Sequence, residues 1–137
     1  MKDSRRRYLR FVLRRRNENS GVRDGVFAAA YELRDAPETA PAVRQRLETA
    51  LKWFAKHLPT PKRFSSSRSK SARGGPTKGI AWMKPEATEH IAMMHELASA
   101  LGECGYVVDV LTTSRPGYVV YEDDFQIVAE AFADVDA

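Results

Sequence analysis

The chain has 137 residues, 43% hydrophobic and 29% charged, a balance suited to one globular domain over 1–137 with a core of its own. Cys104 is its only cysteine, which excludes an internal disulfide and a cysteine-rich zinc site and fits a reducing compartment. Residues 1–7 precede too few apolar residues for a signal peptide, and no run reaches membrane-spanning length, so a cytoplasmic protein is expected.

The formal net charge is +4, but the charges are segregated. Residues 1–16 hold Lys2, Arg5, Arg6, Arg7, Arg10, Arg14, Arg15 and Arg16 against Asp3 alone. Residues 61–84 hold Lys62, Arg63, Arg68, Lys70, Arg73, Lys78 and Lys84 with no acid. Residues 117–137 hold Glu122, Asp123, Asp124, Glu130, Asp134 and Asp136 with no base. Such polarity steers an anionic partner or docks the protein's own acidic end, although a charge run also serves as a plain solvated surface.

In chain order, residues 8–13 alternate Leu9, Phe11 and Leu13 with Arg10 and Val12, which predicts a strand with one buried face. The pairs Tyr8/Val12 and Leu9/Leu13 also fit a helix, but the run is short and flanked by arginines. Residues 17–21 read as a turn. Asp24 is expected to cap a helix running to about Arg34. Asp35 or Thr39 is expected to cap a second, with Pro41 in its first turn and Val43, Leu47, Ala50, Leu51, Phe54 and Leu58 as its apolar stripe. Pro59 and Pro61 end that helix.

Residues 65–78 are small, polar, basic and glycine-rich, and predict a flexible loop over about 64–78. Ile80 to Met83 predicts a short strand. Pro85 is expected at the first position of a third helix, with Glu86 and Glu89 favourable near its positive end, and Gly102 or Gly105 stopping it. Residues 106–112 predict a strand. The runs 118–121 and 125–129, separated by an acidic centre, predict a β-hairpin. The expected architecture is α+β: about three helices packed on a small mixed or antiparallel sheet of four to five strands. Leu9, Phe11, Phe27, Leu47, Leu51, Phe54, Ile91, Met94, Leu97, Val120 and Ile127 are expected to share one core.

The run Gly79-Ile80-Ala81-Trp82-Met83-Lys84, followed by Ala87, His90, Ile91, Met94 and Leu97, resembles a widespread bacterial protein family. The segment Arg115-Pro116-Gly117-Tyr118-Val119-Val120-Tyr121-Glu122-Asp123 adds to the likeness, which covers mainly 79–132. Glu130-Ala131 stands where such proteins often carry Glu-Pro. The resemblance implies a compact domain and supplies no mechanism.

Candidate chemistry is sparse. His90 and His95 stand about 140° apart around a helix and cannot share a metal there. Glu86 and His90 share a face and read as an exposed acid–imidazole pair. His57 suits a helix C-terminus. Asp109, Glu122, Asp123 and Asp124 would hold Mg²⁺ and serve a metal-dependent nuclease if the sheet gathered them at one edge. Against that, Gln126 stands where a restriction-type core has lysine, and hairpin-tip acids commonly form turns. Cys104 near a helix C-terminus is a poor nucleophile, and Gly74 to Gly79 precedes a strand, which excludes a phosphate loop.

The basic segments 5–16 and 62–78 remain, with Arg6, Arg10, Arg14, Arg68, Lys70, Arg73 and Arg115 as candidate contacts for nucleic acid or a partner. Arginines beside Tyr8 and Phe11 also suit an edge strand guarded against aggregation. The expectation is a non-catalytic binding domain that acts through a protein or nucleoprotein partner, without cofactor or membrane. A modulator in a mobile-element or defence setting would suit such a chain. Direct RNA or DNA binding is the alternative, and the nuclease a second.

Overall fold

The computed structural model describes residues 7–16, 23–59 and 79–131. In order these form β1 (Tyr8–Arg16), β2 (Arg23–Gly25), α1 (Val26–Asp35), α2 (Pro41–His57), β3 (Gly79–Met83), α3 (Thr88–Glu103), β4 (Val108–Thr113), β5 (Tyr118–Glu122) and β6 (Gln126–Glu130). Among the described residues the fold is α+β, with three helices and one six-stranded antiparallel sheet. The expected turn at 17–21 and the basic loop at 64–78, with Arg68, Lys70 and Arg73, lie outside the described residues, as does Arg6.

β1 organises the sheet. One of its edges pairs along its length with β4, from Tyr8 opposite Thr113 to Leu13 opposite Val108. Its other edge is divided: Leu9 meets Met83 of β3, and Val12 meets Gly25 of β2. β3 continues to β6, and β6 to β5, so among the described strands β4 and β5 bound the sheet on its two sides, and the short β2 likewise pairs with β1 alone. Antiparallel neighbours place directly opposed residues on one face. Leu9, Phe11, Leu13 and Met83 therefore face the helices with Val108. Tyr8, Leu111, Ile80, Trp82 and Ile127 face the other way.

The single expected core is thus two. The larger packs Phe11, Leu13 and Met83 against Val26, Ala30, Leu47, Leu51, Phe54, Met94, Leu97 and Leu101. The smaller joins Ile80, Trp82 and Ile127 on the opposite face. Ile127 moves to the second cluster because it opposes Trp82. Leu9, Phe27 and Ile91 are only partly buried against the first, and Val120 is half-buried in neither, beside an irregularity in the β5–β6 register.

Three expected helix starts are corrected. Asp24 lies in β2, and Gly25 in extended conformation precedes α1. Neither Asp35 nor Thr39 caps α2, which starts from Ala40 with Pro41 at its first position. Thr39 Oγ1 instead donates to Leu33 O at 2.6 Å, while Arg44 donates to Arg34 O and Ala36 O at 3.1 and 2.7 Å. The carbonyls at and just past the end of α1 are thus satisfied by Thr39 of the connecting turn and Arg44 of α2. Pro85 and Glu86 form a turn before α3, and Ala87 precedes its first residue. Gly105, at φ 92°, provides the left-handed turn past the helix end.

Candidate functional site

Two arginines of β1, Arg10 and Arg14, are engaged within the fold. Arg14 donates to both carboxylate oxygens of Asp109, through Nε at 3.2 Å and Nη2 at 2.9 Å. This two-pronged bond holds the Asp109 carboxyl below its usual range and the Arg14 guanidinium above its own. Arg10 Nη2 donates to Arg23 O at 2.9 Å. Burial lowers the Arg10 guanidinium to about 10, with the Asp24 carboxylate pulling the other way. Its Nε is buried without a hydrogen-bond partner among the described residues. Arg115 is exposed, and its N–H donates to Thr113 Oγ1 at 3.1 Å.

The acids of the nuclease alternative are not gathered at one edge. Asp109 lies on β4 and Asp123 and Asp124 follow β5, and these two strands stand at opposite ends of the pairing order. The sheet separates them because the chain between β4 and β5 forms no hairpin: β4 pairs with β1, and β5 with β6. Among the described residues no three His, Cys, Asp or Glu side chains converge as a metal site would need. Glu122 pairs with Lys84 Nζ at 2.6 Å.

Asp123 is instead the hub of the β5–β6 turn. Its Oδ1 accepts the N–H of Phe125 at 2.8 Å and of Gln126 at 3.0 Å. Its Oδ2 accepts the Tyr121 hydroxyl at 2.8 Å and Gln126 Nε2 at 3.2 Å. Partial burial pushes this carboxyl up, but those donors outweigh it and hold it below the usual range.

Gln126 also donates to Pro59 O at 2.7 Å, which ties the chain beyond α2 to the sheet. His90 makes a parallel tie. It is buried rather than an exposed partner of Glu86, and its Nε2–H donates to His57 O at 2.8 Å. The ring stacks on Phe125 at 4.2 Å and meets the edge of Trp53 at 4.8 Å. Sequence reasoning missed His90 and Gln126 because each serves a distant backbone carbonyl. The one available signal was the spacing of His90 four before Met94, on the buried stripe of α3.

The exposed large apolar side chains lie mainly on the sheet's outer strands. Among the described residues the exposed large hydrophobics are Tyr31, Val107, Val110, Tyr118 and Val119. Val110 belongs to β4, with Val107 one residue before that strand, and Tyr118 and Val119 open β5 beside Arg115. Gly117, at φ 141°, brings the start of β5 against the Glu130 backbone, and Pro116 before it is buried.

The geometry defines an antiparallel α+β domain with two exposed outer strands. No family model, curated protein or solved structure matches the chain. No helix among the described residues is long and apolar enough to cross a membrane.

Proposed function

We propose that this chain is a non-catalytic binding domain that engages a protein or nucleoprotein partner through the surface opening β5. Arg115, with Tyr118 and Val119 on opposite faces of β5, forms a contact edge that a partner would grip from both sides. The observation that carries the reading is the placement of exposed large apolar side chains: among the described residues all but Tyr31 lie on or beside β4 and β5. Solvent-facing tyrosine and valine next to arginine supply the aromatic and cationic anchors on which protein interfaces depend. The basic sequence at 62–78, with Arg68, Lys70 and Arg73, adds attraction to an acidic partner. A modulator that occupies a surface of a larger machine, as in a mobile element or a defence system, would work this way. The likeness to the bacterial family named above is part of the same proposal.

Direct nucleic-acid binding through β1 draws less support, because Arg10 already donates to Arg23 O from a partly buried position and Arg14 is paired with the Asp109 carboxylate. The deciding experiment purifies the full chain with its co-eluting partner, with and without nuclease, and compares wild type with Tyr118→Ala/Val119→Ala. Retention after nuclease and loss in the double variant are expected. Loss of the partner on nuclease treatment would favour nucleic acid instead. So would RNA or DNA binding by the isolated chain with a steep inverse dependence on salt.

A further inference from the structure

The free edge of β4 has a definite hydrogen-bonding pattern. Arg14 N donates to Val107 O at 3.0 Å, and the pairing continues in unbroken register from Leu13 opposite Val108 to Tyr8 opposite Thr113. Bonded and non-bonded pairs alternate along an antiparallel ladder. Counting from Arg14–Val107, the residues bonded to β1 are Asp109, Leu111 and Thr113. Val108, Val110 and Thr112 therefore turn their N–H and C=O groups outward. Among the described residues no strand pairs with that side.

Outer strands in monomeric proteins are commonly blunted by proline, lysine or a bulge, because an open row of backbone groups recruits another strand. β5 carries such devices: a register irregularity between Val119 and Tyr121, and Pro116 shortly before it. β4 has none of them. Its sequence is Val-Asp-Val-Leu-Thr-Thr, its register is regular, and its one charge is already held by Arg14. Val110 is 43% exposed on this edge.

We infer that β4 pairs antiparallel with β4 of a second copy of this chain, about a two-fold axis at Val110. A two-fold axis places a residue opposite itself and pairs the others symmetrically. Centred on Val110, it sets Val108 opposite Thr112 and Thr112 opposite Val108, so every outward group of β4 finds a partner. Centring on Val108 or Thr112 leaves outward groups unpaired. The same register sets Asp109 opposite Leu111 of the other copy, so no carboxylate faces its twin. Val110 meets Val110, a β-branched pair of the kind that stabilises adjoining strands. Backbone bonding alone would accept any extended strand; the side chains favour a second copy, because the register keeps Asp109 from its twin and joins Val110 to Val110. The result is one sheet continuous across both copies, with the helices on the same side, and it goes beyond the partner patch proposed on β5.

Sedimentation velocity over a concentration series, using the full chain, should show a monomer–dimer equilibrium. The register is tested in a Cys104→Ser background, since the native thiol is exposed. Val110→Cys places its two α-carbons about 5.5 Å apart in a bonded pair, inside the disulfide range. Thr112→Cys places its own two copies about 14 Å apart, four strand positions out of register. Mild oxidation should cross-link the first variant and leave the second monomeric on a denaturing gel. Val110→Lys, at an exposed position, should weaken the dimer at least ~10-fold by setting like charges face to face. A monomer at every concentration, cross-linking of Thr112→Cys as fast as Val110→Cys, or a dimer indifferent to Val110→Lys would each overturn the proposal.

Discussion

Gly117 combines a backbone angle and a close approach that no other residue type tolerates. Its φ of 141° lies outside the range open to L side chains, and a Cβ there would overlap the Glu130 carbonyl oxygen and the Ala131 α-carbon. Arg115-Pro116-Gly117-Tyr118 therefore has a structural reason for its composition: the glycine lets β5 start against the end of β6. Gly105 also has positive φ but nothing within 4 Å of a Cβ. Gly117→Ala should accordingly cost more than Gly105→Ala, and at least ~1 kcal/mol beyond the ordinary penalty of a positive φ. Urea denaturation of the two variants checks the order. Equal losses would mean that the strand start shifts freely away from Glu130.

At the level of elements, the β5–β6 turn does more than reverse the chain. Asp123 collects donors from Tyr121, Phe125 and Gln126, and Gln126 passes the connection to Pro59 beyond α2. A carboxyl held below its unfolded range stabilises the fold at pH above that unfolded value, near 3.9, and the contribution disappears as pH falls through the lower folded value. Asp123→Asn keeps a side chain of the same shape and removes the charge, so its stability should be less pH-dependent than wild type below about pH 4. Thermal melts from neutral pH to pH 3 for both proteins provide the check, and parallel curves would assign the acid response to other carboxylates. Much of this turn was legible in advance. Two β-rich runs around Glu122-Asp123-Asp124 announced the hairpin, and the alternation of Leu9, Phe11 and Leu13 announced β1. The helix starts were less legible, because Asp24, Asp35 and Thr39 are capping residue types drawn to other tasks. The pairing order was not legible at all. Nothing local distinguishes a β4 that turns back onto β5 from one that joins β1 almost a hundred residues earlier, and the imagined acid cluster rested on that choice. The exposed patch was partly legible, since Arg115 was a candidate, whereas Tyr118 and Val119 read as ordinary strand residues.

Across the whole molecule, the sheet is the partition between two apolar clusters and also what joins them. Trp82 and Met83 are neighbours on β3 but face opposite sides, one into each cluster. A strand cannot release one face while holding the other, so damage to the helix layer should reach the second cluster through β1 and β3. Leu47 is fully buried in the larger cluster, on α2. Truncating it to alanine should cost about 2–5 kcal/mol through lost contacts and the cavity left behind. The two tryptophans provide separate reporters, because Trp53 lies in the helix layer and Trp82 in the opposite cluster. In a Trp53→Phe background, emission comes from Trp82 alone. Adding Leu47→Ala should then lower the urea midpoint equally by Trp82 emission and by far-UV circular dichroism, as one cooperative transition requires. If the circular dichroism midpoint falls while the Trp82 midpoint stays in place, the two faces unfold as separate units, and a sheet shared between copies through β4 would stabilise only the strands that it joins.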